Sequence, residues 1–239
     1  MLGQELLACS ARYPRTVVLH GKGNTACFQT SLTLFRTPDA GAAGLTGGHV
    51  ALSANGDTVL WSTTNSGVMV STNQVNFTAV TSLPSSAIIA SDKKNNTVFY
   101  AASGSTFYLS TDRGVTFTPS GTLGASTTPF KIVVNPSVTG DVWVSSDKGL
   151  FYSTNLGASF TARSGVTQAW GIALGAPETE GGYPALFAAA NVDGVVGYYR
   201  SDDSHSRSSC QWVQINDAGH GFASASANVM SGDPRIYGR

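Results

Sequence analysis

Two aspartates occupy equivalent turns one sequence repeat apart, Asp147 in Ser145-Ser146-Asp147-Lys148-Gly149 and Asp193 in Asn191-Val192-Asp193-Gly194. Paired carboxyl groups are the equipment of acid–base chemistry: one holds a proton for a leaving oxygen, the other draws a proton from water. That division of labour requires one carboxyl whose pKa is raised by burial or by a like charge. Two solvated loop carboxylates are the ordinary reading beside it. Trp170 is the aromatic best placed for binding, because an indole face stacks on a sugar ring; packing between structural elements is the competing role. His220, in His220-Gly221-Phe222, is a further contact or a solvated loop residue. Trp170, Asp147, Asp193 and His220 are thus the candidate ligand-binding residues, and no residue is assigned a catalytic role.

The background composition narrows the chemistry. The 239 residues carry 14 Lys+Arg against 14 Asp+Glu, a formal net charge of zero. Nucleic-acid binding needs clustered cations to neutralise phosphates, and a membrane-surface anchor needs a polybasic run; the sequence contains neither. No apolar run approaches the ~20 residues of a membrane helix. Charged residues make up 12% of the chain, about half the ~25% usual for globular domains. Gly, Ser, Thr and Asn fill those positions, a profile typical of secreted all-β proteins. Cys9, Cys27 and Cys210 are widely spaced. They give no metal-ligand pairing, and any disulfide among them is left open beside the reading as isolated thiols. No glycine-rich phosphate loop opens a helix, so no cofactor and no metal are expected. Leu6-Leu7-Ala8-Cys9 follows Glu5 without a basic flank, so no signal peptide is expected in this chain.

The elements that must position these residues are set by an internal repeat. Ser110-Thr111-Asp112-Arg113-Gly114-Val115-Thr116-Phe117 returns as Ser153-Thr154-Asn155-Leu156-Gly157-Ala158-Ser159-Phe160. A shorter copy begins Ser71-Thr72-Asn73 and ends at Phe77. A fourth begins Ser201-Asp202-Asp203, is interrupted by a polar insertion through Cys210, and closes at Trp212. The spacing of roughly 40–50 residues, with several strands per unit, is that of β-propeller blades. The pattern S-x-D/N-x-G-x-S/T-F/W is an Asp box. Gly takes a positive-φ turn position, the Asp or Asn oxygen accepts from backbone N–H groups, and the aromatic packs between blades.

Four four-stranded blades follow. The first runs from His49 to about Val80. The second uses Ala87–Ser91, Thr97–Ala102, Phe107–Ser110 and Thr116–Pro119. The third uses Lys131–Val134, Asp141–Ser145, Leu150–Ser153 and Ser159–Ala162. The fourth uses Trp170–Leu174, Leu186–Ala190, Gly197–Ser201 and Gln211–Ile215. A partial fifth begins at Asn228-Val229-Met230. Alternation of the turns puts Asp57, Asp92, Asp112 and Asp141 on one face and Asp147 and Asp193 on the other, cleft-type face. Residues 1–46 fall outside the repeat and read as an irregular leader, with Thr16–Leu19 and Phe28–Phe35 as possible strands; residues 47–239 read as a partial propeller. Open edges at both ends mark it as a piece of a larger propeller.

Between the repeats the sequence resembles glycoside hydrolase family 74, the xyloglucanases. The resemblance rests on Val50-Ala51-Leu52-Ser53-Ala54-Asn55-Gly56-Asp57 with Leu60-Trp61-Ser62, on Ile89-Ala90-Ser91-Asp92-Lys93 with Val98-Phe99-Tyr100, and on Gly232-Asp233-Pro234-Arg235-Ile236-Tyr237-Gly238-Arg239. It implies the later blades of the second of two seven-bladed propellers. It also implies an extracellular, inverting hydrolase of β-1,4-glucans with a polysaccharide partner. The family's acid and base motifs have no counterpart here. The expectation is therefore a fragment inactive alone, with a non-catalytic carbohydrate-binding or interaction module as the alternative. A sialidase would need three arginines clamping one carboxylate, and Arg113, Arg200 and Arg235 sit in separate turns or blade ends.

Overall fold

A computed structural model describes residues 48–238 apart from 65, 74–75, 206–209, 218 and 220–229, together with the backbone of three strands before them. Those three, β1 (Val17–Val18), β2 (Thr25–Gln29) and β3 (Leu32–Arg36), pair antiparallel in the order β1-β2-β3. The Phe28–Phe35 stretch is thus divided between two strands, with Gln29 opposite Leu32.

Four antiparallel four-stranded sheets follow, each in simple up-and-down order. Blade I holds β4 (His49–Leu52), β5 (Val59–Ser62), β6 (Val68–Ser71) and β7 (Thr78–Ala79). Blade II holds β8 (Ile88–Ser91), β9 (Phe99–Ser103), β10 (Thr106–Ser110) and β11 (Thr118–Thr122). Blade III holds β12 (Pro129–Val134), β13 (Val142–Ser146), β14 (Gly149–Ser153) and β15 (Thr161–Ala162). Blade IV holds β16 (Val166–Leu174), β17 (Leu186–Val192), β18 (Val195–Ser201) and β19 (Val213–Gln214). No helix occurs among the described residues.

The first strands of successive blades lie against one another, β4 on β8, β8 on β12 and β12 on β16. A sheet held between two others must be apolar on both faces, and the second strands show it. Phe99-Tyr100-Ala101-Ala102 in β9 and Val142-Trp143-Val144 in β13 are all fully buried. Their side chains alternate between neighbouring seams. Phe99 and Ala101 join Leu60 and Val70 between blades I and II, while Tyr100 and Ala102 join Val142 and Val144 between II and III. Burying such a side chain stabilises the fold by about 1.5–3 kcal/mol.

The outermost strands depart from expectation in a consistent way. β11 starts at Thr118, β15 at Thr161 and β19 at Val213, each two residues later than the repeat pattern predicts. The preceding turns consume those residues. Thr116 N–H donates to Asp112 Oδ1, Ser159 N–H to Asn155 Oδ1 and Gln211 N–H to Asp203 Oδ1. β16 departs the other way. It begins at Val166, so Trp170 lies within the inner strand rather than at its start, half-buried beside a register shift between Ala169 and Gly171.

Candidate functional site

Up-and-down order fixes which turns share a face. In every blade the turns joining first to second and third to fourth strands fall at one end; the second-to-third turns and the blade-to-blade connections fall at the other.

At the first end, the third-to-fourth turns share a hydrogen-bond pattern. Ser110 Oγ donates to Asp112 Oδ1 at 2.7 Å and accepts from Gly114 N–H at 2.9 Å. Ser153, Asn155 and Gly157 repeat both bonds at 2.9 and 3.0 Å. Ser71 donates to Asn73 at 3.3 Å, and Ser201 to Asp203 at 3.2 Å. The backbone is left-handed over two residues, Arg113 (φ 65°) with Gly114 (φ 77°) and Leu156 (φ 62°) with Gly157 (φ 78°). Gly157 lies under the Phe107 ring of blade II, leaving no room for a Cβ. Phe117 is buried between blades I and II, Phe77 packs edge-on to Trp61, and Phe160 edge-on to Phe107. Trp212 packs edge-on to Tyr199 at the blade III–IV seam. Burial raises the Asp112 carboxyl, but hydrogen bonds from Thr116 and Ser110 outweigh it, and the net shift is downward.

Two further carboxylates at this end are buried and tie blades together. Asp92 accepts from Tyr100 OH at 2.8 Å and, across the seam, from Gly140 N–H at 3.0 Å and Thr139 Oγ1 at 3.3 Å. Asp141 accepts from Tyr152 OH at 2.9 Å within blade III and from Tyr183 OH of blade IV at 2.7 Å. Burial raises Asp141 against the lowering pull of those hydroxyls, and it pushes the Tyr152 phenol up to about 12. Tyr183 also accepts from Trp143 Nε1 at 2.8 Å and stacks on His205, with centroids 3.9 Å apart and planes 11° from parallel. Arg163 covers Tyr152 and Trp143 at 4.6 and 5.1 Å from their ring centroids. Sequence reasoning did not single out this cluster of Asp141, Tyr152, Tyr183, His205 and Arg163.

At the opposite end the structure places Asp147 and Asp193 in equivalent second-to-third turns of blades III and IV. Asp147 makes a reciprocal pair with Thr128: its Oδ1 accepts from Thr128 N–H at 2.6 Å, and its N–H donates to Thr128 O at 3.1 Å. Lys148 Nζ lies 3.8 Å from its other oxygen. Asp193 is exposed with φ 49°, and its N–H donates to Gly165 O at 2.8 Å. Gly149, which closes the blade III turn, lies against Val166 O with φ 114°, so that turn abuts the entry to β16. Trp170 lies farther along that strand. On β12, Lys131 Nζ donates to Met230 O at 2.7 Å, and burial lowers its pKa. His220 and Phe222 lie outside the described residues.

The three arginines do not converge. Each faces its own carboxylate, Arg113 with Asp57 at 3.8 Å, Arg200 with Asp202 at 3.2 Å and Arg235 with Asp233 at 3.5 Å. Among the described residues no group of His, Cys, Asp or Glu is arranged to hold a metal. Cys210 is half-buried, and burial raises its thiol pKa. The side chains of Cys9 and Cys27 lie outside the described residues.

Successive up-and-down blades, each buried against the next, define an all-β chain of propeller blades. No family model matches the sequence. The chain is similar to a xyloglucanase of Hypocrea jecorina, 41% identical over 196 residues that make up 82% of this chain and 23% of that enzyme. It is 34% identical over 246 residues to a xyloglucanase of a Paenibacillus species, covering 95% of this chain and 23% of that one. A crystal structure of the family 74 enzyme of Niastella koreensis matches with TM-score 0.74 at 28% identity, over 90% of this chain and 32% of that one. The chain is a relative of the glycoside hydrolase family 74 enzymes, and it spans about a quarter of the length of the curated relatives it matches.

Proposed function

We propose that the chain serves an extracellular hydrolase that cleaves β-1,4-glucosidic bonds of xyloglucan with inversion, and that it supplies polysaccharide-binding surface rather than the acid and base. In this reading residues 47–239 are part of a seven-bladed propeller organised by Asp boxes, and residues 1–46 precede it. The likeness to xyloglucanases over most of the chain supports the substrate class. One observation carries the non-catalytic role: the described carboxylates with buried or well-bonded oxygens are engaged in structure. Asp92 and Asp141 tie blades at the first end, and Asp147 holds Thr128 at the second. An inverting pair needs carboxyl groups about 6.5–9.5 Å apart with room for water between them. Among the described residues Asp141 is the carboxyl whose pKa is raised on balance, by burial, and it belongs to the end opposite Asp147 and Asp193.

Incubating the purified chain with xyloglucan is expected to release no reducing sugar. Release that disappears in Asp147→Asn or Asp193→Asn would overturn this reading. Titration with xyloglucan oligosaccharides is expected to show weak binding, reduced roughly tenfold in Trp170→Ala, an effect of ~1.4 kcal/mol. Unchanged binding removes Trp170 from the site. The second reading, a non-catalytic carbohydrate-binding or interaction propeller, is favoured by the same engagement of the carboxylates. It is separated from the first by whether the chain restores hydrolysis when combined with the rest of a family 74 enzyme.

A further inference from the structure

The turn between β8 and β9 carries Asn95-Asn96-Thr97, an N-x-T sequence, at the end of the molecule opposite Asp147. An asparagine in this pattern becomes an N-glycan acceptor when it is displayed on the surface of a protein that passes through the secretory lumen. The display here is specific. Asn95 is exposed, and its Oδ1 accepts from both Thr97 N–H at 3.0 Å and Thr97 Oγ1 at 2.9 Å. With Oδ1 held in this way, Nδ2, the atom that would carry the glycan, makes no hydrogen bond among the described residues, so the folded turn does not compete for it. The turn is anchored from beneath, because the buried Asp92 carboxylate accepts from Lys94 and Asn95 N–H at 2.9 Å each.

Other asparagines lack one or more of these features. Asn55 and Asn155 use Nδ2 to bond Asp57 and Ser159. Asn135 bonds Asp141 and is followed by proline, which the pattern forbids. Asn76-Phe77-Thr78 fits the pattern, but Phe77 packs on Trp61 and the Thr78 hydroxyl faces Val70 O at 3.5 Å instead of its asparagine.

We propose that Asn95 is an N-glycosylation site, taking an oligosaccharide from a lipid-pyrophosphate-linked donor. The Asn95 Nδ2–C1 bond forms as the donor's C1–O bond to phosphate breaks; the lipid pyrophosphate leaves and the amide nitrogen gives up one proton. The glycan stands on the face away from the candidate polysaccharide surface and leaves that surface open.

The test is translation of the full chain, behind an added cleavable leader, into microsomes that hold a eukaryotic oligosaccharyl transferase. The leader makes the result independent of the extracellular reading above. The expected product shows a glycosidase-sensitive mobility shift that falls by one glycan in Asn95→Gln and Thr97→Ala but is unchanged in Thr97→Ser and Asn96→Gln. Because acceptors are modified during translocation, a folding defect in a variant does not obscure the outcome. Peptide mapping is expected to find the glycan on Asn95, whatever the occupancy of Asn76. On the folded secreted protein, endoglycosidase is expected to release the Asn95 glycan as fully as on denatured protein. An unmodified Asn95, a glycan confined to Asn76, or a glycan released only after denaturation overturns the proposal.

Discussion

Asp141 accepts from the Tyr183 hydroxyl while His205 stacks on its ring, and the two have opposite pH signs. Burial raises Asp141, so the folded state binds its proton more readily than the unfolded chain does. That contribution is fully present in acid and is lost as pH rises through the raised carboxyl pKa. Burial lowers His205, reinforced by Arg163 and opposed by Asp141 and Asp203. Its contribution is present above the ordinary imidazole value of about 6.5 and is lost as pH falls through the depressed one. His205→Phe keeps a ring against Tyr183 and removes the titration. The urea midpoint of the wild type is expected to fall more steeply than that of the variant as pH drops below neutrality; parallel curves would remove His205 from this role. Asp141→Ala leaves two buried hydroxyl donors without their acceptor and is expected to destabilise by about 2–4 kcal/mol. A double-mutant cycle with Tyr183→Phe is expected to show coupling, because the two residues share one hydrogen bond.

The blade turns are where sequence and structure correspond most closely, and where they also part. Ser110, Asp112, Gly114 and their counterparts are readable because a local hydrogen-bond pattern demands those residue types at fixed spacing. Two things are not readable in that pattern. The residue before each turn glycine, Arg113 or Leu156, is also left-handed, although neither type favours that conformation. Nor does any local signal give the partners of Asp92 and Asp141 across the seams, Gly140 and Tyr183, which lie 48 and 42 residues away. The extra length of the fourth repeat was the available clue. Its first-to-second connection carries Tyr183, its third-to-fourth turn carries His205, and these two longer segments meet. The start of β16 was expected at Trp170 rather than Val166 because a bulged strand blurs the alternation used to find it. The two turn glycines are expected to behave differently. Gly157→Ala must displace the Phe107 ring and is expected to destabilise by about 2–4 kcal/mol. Gly114→Ala, whose Cβ would sit 3.3 Å from a flexible Leu60 methyl, is expected to lose only ~1 kcal/mol, chiefly from its positive φ. Thermal or urea unfolding of the pair checks the order.

Across the molecule, side-chain bonds between blades gather at one end. Asn96 Oδ1 accepts from Asn55 N–H at 2.7 Å, Arg113 approaches Asp57 at 3.8 Å, and Asp92 and Asp141 reach the next blade. At the other end the bonds of Asp147 with Thr128 and of Thr127 N–H with Ser105 Oγ stay within one blade or its exit. Ser62 Oγ, bonded to Ala87 O at 2.6 Å, crosses there between blades I and II. The described blades are therefore bound like pages along a spine, with the fore-edge at the Asp147 end. Small fanning motions would widen the gaps between second-to-third turns while the spine stays shut. Backbone amides at the fore-edge are expected to exchange with solvent faster than those at the spine, and an oligosaccharide bound at the fore-edge is expected to slow them.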